Sequence, residues 1–430
     1  MKNVLAVDIG SSSVKAGRIS LQGSVLSSVR VRLDAAQPFP LCWFSAMQQA
    51  FSAALSGANG SGGTLPPPDC LVISGAGPTL VAADASGRVT ASLMWDDPVP
   101  EISVPAGSRS SIFLPRLLAM QKLFPEETAH AARLFSGPEF AVFSLCGTAV
   151  SVLPDSRWQS AYWDDGMLVC AGFRGDLLPP FSAPGFLAGR FTGDPALPYA
   201  PLFSGILPDG IPVRAGPPDF AAALLGTGTV SPGRACDRAG SSEGLNVCTA
   251  QAEAAAGLRS LPSPVPGLWN LSYLLPETGK AFSRFRAASP VFRSLSYPEI
   301  LRRIFDTPVI PPPGQEENPA RAAAEQICRK VKQGVQALQS AVGFLPAFVL
   351  SGGQAKNPLW NQMKADITGA EFLLTQTADA ELLGGAIIAF CADGEFSSYG
   401  EACAAMVKIK TRFSPDPARA ALYAEKFAHS

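Results

Sequence analysis

Hydrophobic and polar positions alternate along the first 33 residues in a pattern that predicts strands. Residues 4–8, 15–20 and 24–33 are the apolar or alternating stretches, and a serine and glycine turn and Gly23 separate them. Successive side chains of a strand point to opposite faces, so the alternation in SSVRVRL is typical of a strand with one buried face. The N-terminal segment therefore predicts a three-stranded meander.

Helical and strand patterns then follow one another along the chain. An amphipathic helix is predicted over 43–55, and a loop rich in Gly, Ser and Pro over 57–68 leads to a buried strand over 70–74. Further helices are predicted over 114–123, over 139–146 and from Asp219. The linker 311–319 leads into a helix over 320–342, whose apolar positions share one face. These positions are Ile327, Val331, Val335, Leu338 and Val342.

Length and composition favour an α/β chain with two lobes. The chain has 430 residues, of which 47% are hydrophobic and 16% charged, so it can bury more than one core. The loop-rich stretch 177–218 ends where the Ala-rich helix begins. We therefore predict lobes over 1–207 and 208–430, with the boundary near Leu207.

Charge, histidine and cysteine content exclude several function classes. The formal net charge of −1 gives no electrostatic footprint for nucleic acid or for an anionic membrane. His130 and His429 are the only histidines, which argues against a histidine-based triad or zinc site. The nine cysteines lack CxxC spacing and are typical of buried thiols in a reducing compartment. Asp8 directly follows the short apolar run VLAV, unlike a signal peptide, and the apolar runs are too short to span a bilayer. We predict a cytoplasmic protein.

Two strand-to-glycine turns are the strongest indication of function. One is DIGSSSVK, residues 8–15, and the other lies in FVLSGGQAKNPLWNQMKADI, residues 348–367. Glycine leaves the backbone amides bare, so phosphates or a base can approach closely. Two such turns predict one nucleotide held between two lobes.

On these motifs the chain resembles the FGGY family of carbohydrate kinases, members of the actin-like, ribonuclease-H-like ATPase superfamily. The resemblance implies two actin-like α/β lobes with a nucleotide and sugar cleft between them, and it implies ATP and Mg²⁺. By the same resemblance Asp8 orients Mg²⁺ through water and Lys15 lies near the transferred phosphate. The phosphate oxygens would be held by Gly10, Ser11, Ser12 and Ser13. The alternative is a serine-rich hairpin in which Asp8 only ends a strand.

The segment 215–246 resembles the family's catalytic region. Phosphoryl transfer to an alcohol needs an acceptor for the hydroxyl proton, and the resemblance gives this role to Asp219. Nucleotide contacts carried over from the family fall on Gly226, Gly228, Gly240, Ser241 and Ser242. Asp219 can equally be a helix N-cap, and both roles are compatible. Pro217 and Pro218 stand where the family has glycines.

Residues 351–371 resemble the family's adenosine motif. Gly352 and Gly353 would let the backbone approach the nucleotide, and Asn357 would contact the adenosine side. Asn357 followed by proline is also a common helix start, so capping and ligand contact are compatible. Residues 382–394 resemble the family's closing helix. Gly384 and Gly385 there either let a nucleotide approach closely or allow close packing of helices.

The acceptor side departs from the family's pattern. Trp95 and Asp97 fit a W-x-D-x-R pattern, but Val99 stands where the arginine is expected. Gly77, Pro78 and Thr79 replace a more polar run, which implies fewer hydrogen bonds to an acceptor. A solvated loop is the alternative for Asp96 and Asp97. The region 269–325 is also shorter than in typical members, and the usual G-E-R-x-P segment is not recognisable.

The leading hypothesis is an ATP-dependent kinase that phosphorylates a hydroxyl of a small sugar, ketose or polyol, most like the xylulose kinase branch. The alternative is a nucleotide-binding sensor or partner-binding protein of this fold without kinase activity. Retention of Asp219 favours the kinase, because a pure binder needs no base. A glycerol-type kinase fits less well, and a homodimer is left open.

Overall fold

In the computed structural model, the first 33 residues form the predicted meander. The structure describes residues 1–57, 65–105, 107, 111–240, 242–253 and 255–428. The strands are β1 (Asn3–Ile9), β2 (Ser13–Ser20), β3 (Val25–Arg32), β4 (Cys70–Gly75), β5 (Leu80–Ala83), β6 (Val89–Leu93), β7 (Arg133–Ser136), β8 (Ser151–Val152), β9 (Phe181–Ser182), β10 (Phe186–Arg190), β11 (Pro212–Pro218), β12 (Ala235–Ala239), β13 (Glu243–Thr249), β14 (Arg259–Pro262), β15 (Trp269–Leu275), β16 (Phe348–Ser351), β17 (Phe372–Thr375) and β18 (Ile409–Phe413).

Helices alternate with these strands, as the sequence predicts for an α/β chain. The α-helices are α1 (Leu41–Leu55), α2 (Leu114–Leu123), α3 (Pro125–His130), α4 (Gly137–Cys146), α5 (Asp165–Ala171), α6 (Asp219–Gly226), α7 (Thr278–Ala288), α8 (Tyr297–Phe305), α9 (Pro319–Val342), α10 (Pro358–Thr368), α11 (Ala380–Ala392), α12 (Tyr399–Met406) and α13 (Pro417–Ala428). The helices predicted over 43–55, 114–123, 139–146 and 320–342 are confirmed as α1, α2, α4 and α9.

The chain divides into two units at positions that differ from the predicted boundary. Unit 1 comprises Met1–Gly226 and Glu381–Met406, and unit 2 comprises Thr227–Ala380 and Val407–Ser430. β11 pairs in parallel with β4 and so extends the first sheet past the predicted boundary near Leu207. The lobes over 1–207 and 208–430 stay a prediction. α6 packs on β11 and β4, and α12 packs on α6. A contact between strands so far apart in sequence has no local signal.

The main sheet of unit 1 has the strand order β10, β11, β4, β1, β2, β3. β1 is antiparallel to β2 and parallel to β4, which places the ends of β1, β4 and β11 at one edge. α1 packs on β2 and β3, and α4 packs on β4 and β11. Apolar side chains of α1 such as Trp43, Phe44 and Phe51 are buried in the core. The sheet therefore presents one edge, at the end of β1, where polar residues gather.

The main sheet of unit 2 has the strand order β14, β15, β13, β12, β16, β17, β18. β12, β16 and β17 run in parallel, so the turns after β12 and β16 lie at the same edge. α9 begins at the cap residue Asn318, whose Oδ1 accepts from the backbone N–H of Ala320 at 2.9 Å. Its buried face, which includes Val331 and Val335, packs on β13 and β15.

A fully buried ion cluster joins α10 to the β12–β13 hairpin of unit 2. Lys364 Nζ lies 2.6 Å from Asp237 Oδ2 and 2.5 Å from Glu243 Oε1, and all three side chains are 0% exposed. Burial and then the charge of Glu243 raise the pKa of Asp237 to about 8. One of the two carboxyls therefore holds a proton near neutral pH, and the cluster carries no net charge. The sequence analysis did not identify this cluster.

Glu139 gives unit 1 a stability that depends on pH. Its carboxylate closes a capping box with Ser136 at the start of α4 and accepts from the backbone N–H of Val152 at 2.5 Å. Burial raises the pKa of Glu139 from 4.5 to about 7, so the folded state binds this proton more tightly than the unfolded chain. The stabilising contribution is complete below pH 4.5 and is lost as the pH rises to about 7.

As the pH rises from 4.5 to about 7, we expect the free energy of unfolding to fall by roughly 3 kcal/mol because of Glu139. Urea unfolding across that range measures the change. Glu139→Gln preserves the size of the side chain but cannot ionise, so the variant should show a shallower pH dependence. Equal slopes for both proteins would contradict the raised pKa.

Candidate active site

Asp8, Lys15 and Glu381 form a charged cluster at the edge of the first sheet. Strand register places Asp8 opposite Lys15 on β2 and opposite Ser74 on β4. Lys15 Nζ lies 3.0 Å from Asp8 Oδ2 and 3.3 Å from Glu381 Oε2. Glu381 begins the second stretch of unit 1, Glu381–Met406, which we call the returning segment. The sequence analysis did not identify this residue.

Asp8 is 5% exposed, and its environment opposes ionisation. Burial raises its pKa, the Lys15 charge lowers it, and the charges of Glu381 and Asp219 raise it, so that the pKa of Asp8 is about 6. Asp8 Oδ1 has no hydrogen-bond partner within the part of the chain that the structure describes. A buried oxygen of this kind needs a donor or a hydrated cation, which suits the predicted role of Asp8 toward Mg²⁺.

The predicted phosphate loop is a tight turn between β1 and β2. The backbone N–H of Gly10 donates to the Ser13 carbonyl at 3.0 Å. Ser11 and Ser12 are exposed at the tip of the turn. Ser13 is buried, and its hydroxyl oxygen accepts from Arg30 Nε at 2.9 Å. Ser11 and Ser12 therefore remain accessible to a phosphate, whereas the Ser13 hydroxyl binds within the sheet.

Asp219 is the first residue of α6, directly after β11. Its Oδ1 accepts from the backbone N–H of Phe220 at 2.6 Å, which fits the N-terminal position expected from sequence. Gly216 makes the approach possible, because a Cβ there would lie 2.4 Å from Ser74 Oγ. The strand register shifts between Ala215 and Pro218, where the two prolines replace the expected glycines. The result is a half-buried carboxylate whose charge acts on Asp8.

The predicted acceptor residues lie on two neighbouring turns of unit 1. The backbone N–H of Trp95 donates to Thr79 Oγ1 at 3.1 Å, and Thr79 is 1% exposed. Asp97 is exposed, and its Oδ2 accepts from the backbone N–H of Met94 at 2.7 Å. The structure thus places Thr79 in a supporting position and Asp97 in a solvated turn. Gly77 has room for a side chain, because a Cβ there would lie 4.0 Å from Phe113 Cζ.

Arg116 of α2 joins these two turns, although the sequence analysis did not identify it. Its Nε donates to the Pro78 carbonyl at 2.9 Å, and Nη2 donates to the Met94 carbonyl. Burial lowers the pKa of Arg116, while the charges of Asp97 and Asp96 raise it. The loop lacks the expected arginine because Val99 stands in its place. A guanidinium from α2, that of Arg116, instead binds the backbone of the two turns.

Aromatic rings connect the acceptor turn with the start of α6. Phe113, which lies beside Gly77, is 4.6 Å from Tyr162 between ring centroids. The backbone N–H of Tyr162 donates to the Trp158 carbonyl at 3.1 Å. The ring centroids of Trp158 and Phe220 are 6.0 Å apart, with the rings edge to face. Trp158 Nε1 is buried and has no hydrogen-bond partner among the described residues. The Tyr162 hydroxyl is also buried without a hydrogen-bond partner in the described ranges. The rings form an apolar wall that leads to Asp219 and includes two unsatisfied polar groups.

In unit 2, the two predicted nucleotide turns lie next to each other. Gly352 has a φ of +90°, and a Cβ there would lie 2.4 Å from the Ala239 carbonyl oxygen. Gly240 is exposed, and its N–H donates to the Ser242 carbonyl at 2.8 Å. Gly353 is exposed in the turn after β16. Ser241 lies outside the described residues.

Gln354 holds these turns together and was missed by sequence reasoning. Its Nε2 donates to the Gly240 carbonyl at 2.8 Å and to Thr278 Oγ1 at 3.2 Å. A glutamine beside two glycines gives no local sign of this contact, because its partners lie 114 and 76 residues away.

The remaining predicted residues have structural roles. Asn357 Oδ1 caps α10 by accepting from the backbone N–H of Leu359 at 3.0 Å, as its capping alternative predicts. Gly226 ends α6, and Gly228 has a φ of +69°. Gly384 packs against α6, because a Cβ there would lie 1.7 Å from the Ala222 carbonyl oxygen. The packing alternative therefore accounts for Gly384.

The described ranges contain neither a membrane-spanning helix nor a metal-binding cluster of side chains. None of the helices there is long and apolar enough to cross a membrane. Nor do those ranges contain a group of three or more His, Cys, Asp or Glu side chains arranged to hold a metal ion.

Comparison with known families gives a match for one segment of the chain. Residues 277–392 match the C-terminal domain of the FGGY family of carbohydrate kinases. The matched segment includes Gly352, Gly353, Asn357 and Glu381, whereas Asp8 and Asp219 precede it.

The sequence relatives include an FGGY domain protein and a kinase. An FGGY carbohydrate kinase domain-containing protein from Homo sapiens is 41% identical over 75 residues, which are 17% of this chain and 14% of the relative. The autoinducer-2 kinase of Escherichia coli K12 is 24% identical over 302 residues, which cover 61% of this chain and 56% of the relative. The chain thus spans between about one seventh and somewhat over half of the length of these relatives.

The fold is similar to that of solved sugar kinases. The xylulose kinase of Lactobacillus acidophilus superposes with a TM-score of 0.75 over 100% of this chain and 97% of that chain, at 15% identity. The predicted α/β fold class is confirmed. The predicted cleft stays a prediction, as do the roles of the individual site residues.

Proposed function

We propose that this protein is an ATP-dependent carbohydrate kinase that transfers the γ-phosphoryl group of ATP to a hydroxyl of a small sugar or polyol. One observation carries the proposal. A carboxylate at a helix start, Asp219, lies close enough to Asp8 for its charge to raise the pKa of Asp8, and Asp8 is paired with Lys15. A proton acceptor and a cation suited to a phosphate therefore belong to one cluster.

The residues of unit 1 fit ATP and Mg²⁺ as co-substrate and cofactor. Mg²⁺ keeps most of its waters and binds through one or two carboxylates and substrate phosphates, so Asp8 with its unpartnered Oδ1 suffices to orient it. Ser11, Ser12 and the Gly10 turn would hold phosphate oxygens. When bound, Mg²⁺ supplies charge neutralisation on the phosphates. Lys15 adds positive charge beside the transferred group.

Asp219 would accept the proton of the attacking hydroxyl. Its position at the start of α6 favours the ionised form, since the helix dipole stabilises a negative charge there. An ionised carboxylate can take the proton as the oxygen attacks phosphorus. The aromatic wall of Phe113, Tyr162 and Trp158 would exclude water beside it.

The finer proposal concerns the acceptor, for which we favour a xylulose-like ketose or a polyol. Trp95, Asp97 and the turn at Gly77 and Pro78 would contact it, and Arg116 holds these turns. The names of the similar proteins give different acceptors, autoinducer-2 and xylulose. They therefore support a small acceptor of this class and not one particular sugar. Cytoplasmic location and a homodimer stay predictions.

Replacing Arg116 by Met is expected to raise the KM for the acceptor about tenfold or more, because two acceptor turns lose a charged hydrogen-bond donor worth ~1.5–3 kcal/mol. The KM for ATP should stay the same. Steady-state kinetics with each substrate varied separately measure both constants. Arg133→Met, a change at an exposed arginine of the same unit, serves as the control. An equal rise in both KM values would contradict a role on the acceptor side.

A second candidate is a nucleotide-binding protein without kinase activity. Two observations favour this binding protein. Asp97 Oδ2 already accepts a hydrogen bond from the backbone N–H of Met94, and Val99 stands in place of the expected arginine. A panel of ketoses, aldoses and polyols, screened for ADP release with purified protein, separates the two. Acceptor-dependent ADP release supports the kinase. Magnesium-dependent ATP binding without ADP release for any acceptor would replace it with the binding protein.

A further inference from the structure

Glu381 is a buried carboxylate at the predicted phosphate site. It is 8% exposed and is the second residue of α11. Its Oε2 lies 3.3 Å from Lys15 Nζ, and the same nitrogen lies 3.0 Å from Asp8 Oδ2. The Lys15 ammonium therefore pairs with both Asp8 and Glu381, and of these two carboxylates the sequence indicated only Asp8.

Packing of α11 fixes the position of this carboxylate. Gly384 lies so close to α6 that a Cβ would meet the Ala222 carbonyl oxygen at 1.7 Å. On the side of β2, a Cβ at Gly17 would meet Leu382 Cδ1 at 3.0 Å. The first turn of α11 is thus held between the helix that starts at Asp219 and the strand that carries Lys15.

We propose that Glu381 is a positioning residue for the magnesium nucleotide, because it holds Lys15 beside the Oδ2 oxygen of Asp8. Lys15 binds Asp8 Oδ2, and Asp8 Oδ1 has no hydrogen-bond partner in the described part of the chain. That oxygen can accept from a water of the metal's hydration shell. The inference rests on the proposed function for the identity of the ligand, which is Mg²⁺ with ATP.

Glu381→Gln tests this inference at constant side-chain size. Without the Glu381 charge, the Lys15 ammonium is drawn toward Asp8 and neutralises it more fully. We expect the Mg²⁺ concentration for half-maximal ATP binding to rise about tenfold, equivalent to ~1.4 kcal/mol. ATP without Mg²⁺ should bind as tightly as in the wild type or more tightly, since one negative charge near the phosphates is gone. Isothermal titration calorimetry at a series of Mg²⁺ concentrations measures both.

Glu395→Gln is the matched control. Glu395 belongs to the same returning segment, and it pairs with the exposed Lys2 instead of Lys15. Its loss should leave the Mg²⁺ requirement unchanged. Thermal unfolding of all three proteins shows whether either substitution disturbs the fold.

Three results would overturn the inference. The first is an unchanged Mg²⁺ requirement in Glu381→Gln. The second is weaker binding of ATP both with and without Mg²⁺ at a lower Tm, which indicates a purely structural role. The third is a wild-type protein that binds no magnesium nucleotide. A wild-type protein that binds Mg²⁺ and ATP but phosphorylates no acceptor would end the kinase proposal and leave this binding test intact.

Discussion

Replacing Asp219 by Asn is expected to lower acceptor-dependent ATP turnover by about 10²- to 10⁴-fold. Asn matches the size of Asp but cannot take up the hydroxyl proton in the transition state. The amide oxygen can still accept from the backbone N–H of Phe220, so the start of α6 should persist. Affinity for the magnesium nucleotide should change little, because a proton acceptor acts mainly in the transition state.

Steady-state turnover with the best acceptor, together with calorimetry of nucleotide binding, measures both effects. Asp164→Asn is the control, since Asp164 caps α5 in the same unit by accepting from the Met167 N–H at 2.7 Å. That variant should turn over like the wild type. Near wild-type turnover in Asp219→Asn would remove Asp219 as the base.

Replacing Lys364 by Met is expected to lower the free energy of unfolding by about 3–5 kcal/mol. The ammonium is the charged partner of Asp237 and Glu243, and all three side chains are 0% exposed. Its removal leaves two buried carboxyls without a cation, and burial of an uncompensated charge costs far more than an ion pair contributes.

Urea unfolding at constant pH measures this loss. Lys356→Met is the control, because Lys356 is 49% exposed and its pair with Asp379 at 3.0 Å is worth at most ~1 kcal/mol. Apolar replacement of Lys364, Asp237 and Glu243 together should restore most of the stability. If Lys364→Met were no less stable than Lys356→Met, the buried cluster would not have the assigned energetic role.

Local patterns in the sequence predicted the elements correctly. Alternation gave β1, β2 and β3, and asparagine followed by proline gave the capped start of α10 at Asn357. These features depend on neighbours a few residues apart, so the sequence contains the whole signal. The turn at Gly10 and the position of Asp219 at a helix start belong to the same class.

Contacts between distant segments could not be predicted in this way. Glu381 reaches Lys15 across 366 residues, and Arg116 reaches Pro78 across 38. Lys364 finds Glu243 across 121 residues, and nothing near any of these residues marks the partner. The parallel pairing of β11 with β4, which extends the first sheet past the predicted boundary near Leu207, is likewise a long-range contact.

The central claim is transfer of a phosphoryl group, and the fate of a label on the γ-phosphate of ATP tests it most directly. Wild-type protein is incubated with Mg²⁺, labelled ATP and the best acceptor of the panel, and the products are separated. The account predicts that label enters the acceptor in the same molar amount as ADP is released, and that Asp219→Asn strongly slows both. Label that stays in ATP, or that appears only as inorganic phosphate, would contradict it.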